Sequence, residues 1–428
     1  MKAIASCFAS IINEENSVCP WENIPLSQQK SILQVIASPT PPSCIVYPHT
    51  TEQLAQVMAQ AHRNKWRVLP CGSGSKLNWG GLAKDVDVVV STERLNRLIE
   101  HAIGDLTVTV EAGMKFSRLQ AMLVDCGQFL ALDPITQDTA TIGGIVATAD
   151  TGSLRQRYGS VRDQLLGMTF VRADGQIAKA GGRVVKNVAG YDLMKLFTGS
   201  YGTLGVLSQV TFRVYPLPEA SGTVVLTGDA KAVSQAADTL RGSALTPTQA
   251  DLLSTQLVSN LELGKGLGLI VRFQSIAESV KEQSNRLLEV GAQLGLQGTI
   301  YSAVDEADLW RILREQMHSS PNDAITCKIG VLPTSAVEVL TQADLGWIHI
   351  ASGLGVLRFE GDKVDKVLEI RNLCQTHGGF VTILSAPVKV KQLDVWGYTG
   401  NAVQLMRRIK EQFDKEYILS PGRFVGGI

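Results

Sequence analysis

The stretch TATIGGIVATADTGSLRQRYGSVRD, residues 139–163, decides how this chain folds. It combines glycines with hydroxyl side chains and opens a region, residues 141–205, that holds 12 glycines. Glycine at this density indicates backbone in special conformations or pressed close to a ligand. The region is also basic, since residues 153–195 carry eight Lys or Arg against three Asp. Flexible backbone together with positive charge favours a phosphate-bearing ligand.

Three more blocks of the same kind flank this stretch. They read PCGSGSK at residues 70–76, GGRVVKNVAGYDL at residues 181–193 and GSYGTLGV at residues 199–206. The first block follows a predicted strand, so its N–H groups, freed by glycine, can converge on an anion. It is not a P-loop, because GxxxxGK followed by Ser or Thr does not occur, and the dinucleotide fingerprint GxGxxG fails at Leu77. A tight turn explains any one block but not the ordered series.

The composition is that of an ordinary globular protein. The 428 residues are 45% apolar and 19% charged, and this length predicts two or three domains. The 40 Lys and Arg balance the 40 Asp and Glu, which argues against a nucleic-acid partner. No run reaches the ~18 apolar residues that span a bilayer. The seven Cys are odd in number and never spaced as CxxC, which predicts free thiols in a reducing compartment and no iron–sulfur cluster held by this chain alone.

Local patterns predict alternating strands and helices. The capping-box spacing of Thr50 and Gln53 predicts a helix start directly after a strand at residues 44–47. Further along, the patterns predict a helical turn at 193–197, a hairpin at 348–359 and a helix at 402–413. The predicted short strands with glycine-rich turns lie before residue 217, and the predicted β-α units lie after it.

Two prolines, Pro216 and Pro218, mark a predicted domain boundary. After this boundary the sequence patterns predict β-α units. The predicted domains are residues 1–217 with an N-terminal helical extension at 1–40, an α+β domain at 218–390, and a C-terminal segment at 391–428.

In this order the blocks resemble those of flavoproteins of the vanillyl-alcohol oxidase and cresol methylhydroxylase type. Within that group they are most similar to the FAD-binding subunits of bacterial glycolate oxidases. The resemblance is strongest over residues 45–216 and returns in QFD at 412–414 and LSPGRF at 419–424. It implies an α+β fold class, with two subdomains that hold FAD, an α+β cap domain, and a C-terminal segment that returns to the FAD domain.

The resemblance also implies a site that holds FAD noncovalently. The loop at residues 71–77 would cradle the pyrophosphate, residues 139–148 would line the flavin and its linker, and residues 202–206 would contact the cofactor through backbone atoms. The implied cofactor-binding residues are Cys71, Gly72, Ser73, Gly74, Ser75, Lys76, Leu77, Pro134, Thr139, Ala140, Thr141, Gly143, Gly144, Thr148, Ser153, Arg157, Tyr158, Gly202, Thr203, Leu204 and Val206. The first loop contains no His, and Cys71 at its start is expected to be a small packing residue.

The activity that the resemblance implies is two-electron oxidation of a 2-hydroxy acid, glycolate, to the 2-oxo acid. This chain would serve as a flavin relay or a supporting subunit, beside a catalytic flavoprotein subunit of the same fold and an iron–sulfur subunit. The N-terminal sequence MKAIASCFASIINEEN is interpreted as a mature start. The expected location is the cytoplasm, with peripheral attachment to the inner membrane through the partners.

Relatives of this type that oxidise 2-hydroxy acids unaided resemble one another in a His-rich, acidic C-terminal site that often binds a divalent metal. The six His of this chain do not pair at ligand spacing, so no metal site is predicted, and no catalytic residue is assigned. His349, in an apolar run, is interpreted as a hydrogen-bonded core histidine.

Two alternatives remain open: a self-sufficient FAD-dependent dehydrogenase or oxidase with a Tyr or Arg base, and a flavin-free scaffold subunit. An NAD enzyme is disfavoured because the dinucleotide fingerprint fails.

Overall fold

A computed structural model describes residues 2–183, 190–318 and 324–428. The chain divides into two compact units. The first comprises Met1–Asp150, Ser160–Pro216 and Tyr398–Ile428, and the second comprises Thr151–Gly159 and Leu217–Gly397. Residues 184–189 of the block at 181–193 lie outside the described residues.

The strands of the described residues are β1 (Val18–Pro20), β2 (Cys44–Val46), β3 (Val68–Cys71), β4 (Val88–Ser91), β5 (Leu98–Ala102), β6 (Thr107–Glu111), β7 (Gln128–Phe129), β8 (Leu165–Val171), β9 (Ile177–Gly181), β10 (Val206–Arg213), β11 (Tyr215–Pro216), β12 (Ala220–Gly228), β13 (Gln249–Leu253), β14 (Leu267–Ser275), β15 (Gln297–Ser302), β16 (Ile325–Gly330), β17 (Leu345–His349), β18 (Leu354–Phe359) and β19 (Phe380–Ser385).

The helices are α1 (Lys2–Ile11), α2 (Leu26–Leu33), α3 (Thr51–Arg63), α4 (Phe116–Val124), α5 (Ile142–Thr148), α6 (Arg155–Tyr158), α7 (Val161–Gln164), α8 (Leu193–Phe197), α9 (Ala230–Gly242), α10 (Thr255–Asn260), α11 (Ala277–Gln293), α12 (Ala303–His318), α13 (Ala336–Leu340), α14 (Val364–Thr376) and α15 (Val403–Phe413). Short 3₁₀ turns lie at Trp21–Asn23, Pro333–Ser335, Val390–Gln392 and Val425–Gly427. No helix in the described ranges is long and apolar enough to cross a membrane.

The first unit contains two main sheets. One has the order β1-β2-β4-β3, in which β2, β4 and β3 run parallel. The run Val88–Val90 in its centre is buried on both faces, as in parallel strands covered on both sides. The other sheet, β5-β6-β10-β8-β9, is antiparallel, and β7 pairs with β11 beside it.

The predicted helix after β2 is confirmed, together with its cap. The Thr50 hydroxyl accepts a hydrogen bond from the N–H of Gln53 at 3.1 Å. The side chain of Gln53 accepts from the N–H of His49 at 2.8 Å, one residue before the cap. The N-terminal extension is not purely helical, because Val18–Pro20 adds a strand to the first sheet.

The second unit is built on one eight-stranded antiparallel sheet of order β15-β12-β14-β13-β17-β18-β16-β19. The strands alternate, since side chains along a strand point to opposite faces. One face, which includes Leu252, Val271 and Ile348, belongs to the apolar core with α9, α11 and α14. The other set of positions carries buried polar side chains such as Asp251 and His349. The predicted hairpin at 348–359 is present as β17 and β18.

The division into units differs in detail from the boundaries expected from the sequence. Residues Thr151–Gly159 belong to the second unit although they lie within the range 1–217, and the C-terminal return begins at Tyr398 rather than at 391. The first part of the chain in unit one ends at Pro216, one residue before the expected boundary.

The C-terminal segment is fixed to the first unit by a buried lysine. The side chain of Lys410 is fully buried, and its Nζ donates to the carbonyls of Thr203 at 2.7 Å and Leu419 at 2.9 Å and to the carboxylate of Asp414. Burial lowers the pKa of Lys410, and the Asp414 carboxylate opposes this shift. One ammonium group therefore joins α15, the chain at Thr203 and the segment after the helix.

Replacing Lys410 with Met should lower the free energy of unfolding by about 3 to 5 kcal/mol, because Asp414 is left as a buried charge without its partner. Urea unfolding followed by circular dichroism measures the change. Arg408→Met, on an exposed position of the same helix, is the matched control and should change stability by less than about 0.5 kcal/mol. Equal stability of the two variants would contradict this role.

Candidate functional site

A cleft in the first unit gathers the glycine-rich blocks. It encloses about 770 Å³ of empty space, open solvent at its mouth included. The cleft is lined by Pro70, Cys71, Gly72, Ser73, Gly74, Ser75, Lys76, Leu77, Thr92, Ala112, Thr141, Gly143, Gly144, Ala147, Thr148, Ser200, Tyr201, Gly202, Gly205, Val206, Leu207 and Arg423.

The loop after β3 requires glycine where it passes the start of α5. A Cβ atom on Gly72 would lie 2.0 Å from the Oγ1 of Thr141, which is closer than any real contact. Thr141 cannot move freely, because its side chain caps α5 by accepting from the N–H of Gly144 at 3.3 Å. Ser73 donates through its Oγ to the carbonyl of Thr139 at 2.5 Å. The loop and the N-terminal end of α5 are thus locked together.

The same loop presents a row of unused donors to the cleft. Within the described residues, the N–H groups of Ser73, Gly74, Ser75 and Lys76 donate no hydrogen bond. Gly74 has φ of +80°, a left-handed conformation that glycine adopts without strain. Consecutive N–H groups in such a turn form a concave site for an anion. The loop therefore fits a phosphate group.

Two other glycines allow elements to approach around the cleft. A Cβ on Gly143 would lie 2.8 Å from the Cβ of Ala112, and the N–H of Gly143 donates to the carbonyl of Ala112 at 2.7 Å. A Cβ on Gly202, where φ is +72°, would lie 2.8 Å from the Cγ of Pro70. The blocks that the sequence separates by more than a hundred residues therefore meet at contacts that admit no side chain.

Lys76 ends the loop with a buried positive charge. Its side chain is 4% exposed, and its Nζ lies 3.2 Å from the Oδ2 of Asp150, whose side chain is 3% exposed. Among the described residues, the Nζ has no carbonyl or hydroxyl acceptor. The cleft consequently contains a buried cation that is paired with one carboxylate and has further donors for a ligand.

Arg423, from the C-terminal segment, holds the far end of the loop. Its guanidinium donates to the carbonyls of Leu77, at 2.9 Å, and Trp79. Burial lowers the pKa of Arg423 to about 10, and burial raises the pKa of the neighbouring Tyr201. The resemblance covered Arg423 as part of a terminal motif, but only its return to the loop identifies it as part of the site.

Cys71 lines the cleft as a protonated thiol. Burial raises the pKa of Cys71 to about 12, and the charge of Glu93 adds to this shift. Only the thiolate is nucleophilic, so Cys71 is unreactive near neutral pH. This chemistry agrees with a packing role for the residue.

Thirteen of the 21 residues implied by the resemblance line the cleft. Those on the lining are Cys71, Gly72, Ser73, Gly74, Ser75, Lys76, Leu77, Thr141, Gly143, Gly144, Thr148, Gly202 and Val206. The implied residues of the first unit that are not on the lining are Pro134, Thr139, Ala140, Thr203 and Leu204. Thr139 and Thr203 instead supply carbonyls that hold Ser73 and Lys410.

Ser153, Arg157 and Tyr158 belong to the second unit. There the hydroxyl of Ser153 donates to the buried carboxylate of Asp251, which also contacts the Nδ1 of His349. Ser153 lies 3.4 Å from the same imidazole nitrogen. The interpretation of His349 as a buried, hydrogen-bonded histidine is confirmed by this cluster. Within the described residues no group of three potential metal ligands occurs.

The sequence residues 42–181 match the family model described as an FAD binding domain. The geometry fits this cofactor, since the loop offers a diphosphate four N–H donors and a buried ammonium group. FAD is therefore the cofactor of this chain.

Replacing Gly72 with Ala should weaken FAD binding at least about tenfold, because the new Cβ forces the loop away from Thr141. Flavin content after purification, and the Kd of FAD for the flavin-free chain, measure the effect. Gly104→Ala is the matched control, because its Cβ would meet nothing within 4 Å. An unchanged Kd in the Gly72 variant would show that the loop does not contact the cofactor.

Comparisons with solved structures agree on the fold. The 4-ethylphenol oxidase from Gulosibacter chungangensis superposes with a TM-score of 0.77 at 15% identity, over 99% of this chain and 96% of that one. A substrate-bound p-cresol methylhydroxylase gives 0.74 at 16% identity over the same shares. The chain thus has the p-cresol methylhydroxylase-type FAD-binding fold, an α+β fold as expected.

Sequence relatives extend the comparison. An FAD-linked oxidoreductase of Mycobacterium tuberculosis (strain CDC 1551 / Oshkosh), itself uncharacterized, is 30% identical over 92% of this chain and 93% of its own. The D-2-hydroxyglutarate dehydrogenase of Stutzerimonas stutzeri (strain A1501) is 26% identical over 89% and 90%. Glycolate oxidase subunit GlcD of Bacillus subtilis (strain 168) is 30% identical over 43% of this chain and 39% of that protein.

With several of these curated relatives, D-lactate dehydrogenases among them, the similarity spans only 32 to 50% of their length. The M. tuberculosis protein, in contrast, matches at nearly full length on both sides. The chain therefore belongs to the family of FAD-linked oxidoreductases that share this FAD binding domain.

Proposed function

We propose that this chain takes part in the FAD-dependent oxidation of a 2-hydroxy acid to a 2-oxo acid. The observation that carries the proposal is the alignment with a D-2-hydroxyglutarate dehydrogenase over 89% of the chain. The names of the partial matches, D-lactate dehydrogenases and a glycolate oxidase subunit, describe the same substrate chemistry. In each, the hydroxyl group stands on the carbon next to a carboxylate.

The reaction removes a hydride from that carbon and a proton from its hydroxyl group. Bound FAD supplies the hydride acceptor. The residues of this chain hold the cofactor: the loop Gly72–Lys76 offers donors to its diphosphate, and α5 with Gly202 shapes the cleft. The protonated thiol of Cys71 supports noncovalent binding, because no nucleophile is available there for attachment to the flavin.

We further propose that the chain works as a subunit, beside a catalytic flavoprotein subunit and an iron–sulfur subunit of a glycolate-oxidising complex. Two electrons collected on a flavin must pass to an acceptor. The cysteines of this chain are all free, and those at positions 44, 327 and 374 are buried with raised pKa values. A partner with grouped thiolates would supply the next carrier. Such partners would also bring the chain to the inner membrane from the cytoplasm.

A second candidate function, oxidation of the hydroxy acid by this chain without partners, is favoured by the pair Asp251 and His349. The carboxylate contacts Nδ1, and the side chains are 0% and 5% exposed. A carboxylate on Nδ1 fixes the tautomer in which Nε2 accepts a proton. Among the described residues, Nε2 has no hydrogen-bond partner. An imidazole held in this way can act as a general base, the group that a self-sufficient enzyme would need in place of the Tyr or Arg expected from the sequence.

The subunit proposal predicts that the purified chain is yellow and that its flavin is reduced slowly or not at all by glycolate, D-lactate or D-2-hydroxyglutarate. Anaerobic absorbance at about 450 nm follows the reduction. Adding the co-purified partner subunits should speed reduction by glycolate. Rapid bleaching of the isolated chain would exclude the relay role and favour the second candidate, whereas a colourless chain that takes up no FAD would exclude both.

The second candidate predicts that His349→Asn slows substrate-driven flavin reduction by about 10²- to 10⁴-fold while flavin content stays unchanged, because a general base is lost. His377→Asn, at a half-exposed histidine paired with Glu338 at 3.4 Å, is the matched control. Unchanged reduction kinetics in the His349 variant would remove the imidazole from the reaction.

A further inference from the structure

The two cations of the cleft are used differently by the protein. Arg423 donates to the carbonyls of Leu77 and Trp79 and so serves the loop itself. Lys76 donates to no carbonyl or hydroxyl of the described residues, although its side chain is only 4% exposed. Within the described residues, its ion-pair partner is Asp150, at 3.2 Å. An ammonium group has three donors and is strongly hydrated in water, so burying it with a single carboxylate partner is costly.

The position of Lys76 suggests that a ligand offsets the free-energy cost of burying its ammonium group. Lys76 closes the run Ser73–Lys76, whose four N–H groups have no partner within the described residues. Both the run and the lysine line the same cleft. An anion bound by the N–H groups would meet the ammonium group at the end of the loop, and a charge-assisted hydrogen bond is about twice as strong as a neutral one.

We propose that Asp150 is a temporary partner of Lys76, neutralising the ammonium group until the diphosphate of FAD takes its place. This inference concerns cofactor binding alone and holds whichever hydroxy acid the enzyme oxidises. Asp150 is a positioning residue here, since it acts on the ligand through Lys76.

Asp150 is well placed for this role. Its carboxylate accepts hydrogen bonds from the N–H of Ile135, at 3.2 and 3.4 Å, so the charge is fixed beside the lysine. A fixed carboxylate stabilises the chain without cofactor, and it also competes with the diphosphate for the ammonium group. Removing the carboxylate should therefore strengthen binding of the anion, whereas removing the ammonium should weaken it.

The experiment measures the Kd of ADP, which carries the diphosphate without the flavin ring, for the full chain freed of flavin. Isothermal titration is run on the wild type, Lys76→Met and Asp150→Asn. We expect ADP affinity to fall about tenfold or more in the first variant and to rise severalfold in the second. Riboflavin, which has no phosphate, should bind all three alike. The ADP affinity of the wild type should fall with added salt more steeply than that of Lys76→Met.

A purely structural ion pair makes a different prediction, because both substitutions would disturb the loop and both would weaken ADP binding. That result, or unchanged ADP affinity in Lys76→Met, overturns the proposal. Lys76→Arg keeps the charge and should bind ADP within about threefold of the wild type.

If Asp150→Asn does not fold, the double variant Lys76→Met with Asp150→Asn replaces it, since that pair is neutral and of similar volume. The proposal requires the double variant to bind ADP more tightly than Lys76→Met alone, because repulsion by the carboxylate is gone. Equal or weaker binding contradicts it.

Discussion

The approach of the loop after β3 to the capped start of α5 is the contact on which the rest of the site depends. Gly72 lies against the Thr141 side chain with no space for a Cβ, and the Thr141 hydroxyl caps α5 through the N–H of Gly144. This contact sets the direction in which the following N–H groups point. Because those groups find no partner among the described residues, the loop is a binding surface and the cap is its support.

The C-terminal segment also holds β3 and the loop that follows it. It runs beside β3, where the N–H of Val68 donates to the carbonyl of Ile418 at 2.7 Å and the N–H of Ser420 donates to the carbonyl of Val68 at 2.9 Å. Lys410 holds the carbonyls of Thr203 and Leu419, and Arg423 holds those of Leu77 and Trp79. Buried cations are stable only when they are paired and hydrogen-bonded, which explains why each has several acceptors. Lys76 differs from both, because among the described residues its polar contact is the ion pair with Asp150.

Strand alternation gives the sheet of the second unit one apolar set of positions and one polar set. One set of positions forms the apolar core against the helices, while the alternate positions bring Asp251 and His349 side by side across β13 and β17. Thr151–Gly159 joins this unit through Ser153, whose hydroxyl reaches the same carboxylate. Ser153, which the resemblance implied as a cofactor-binding residue, has the buried carboxylate of Asp251 as a hydrogen-bond partner.

The local elements can be predicted from the amino-acid sequence, because caps, turns and buried strands depend on neighbours a few residues away. The glycine-rich blocks are visible in the sequence directly. The helix after Thr50, the turn at Leu193–Phe197 and the hairpin of β17 and β18 follow from such patterns. Which of these blocks contact one another depends on tertiary packing and is not predicted by local patterns. Arg423 contacts Leu77 across 346 positions, and Ser153 approaches His349 across 196. Contacts of this kind arise from the packing of whole sheets and from the need to pair buried charge, and no spacing along the chain encodes them.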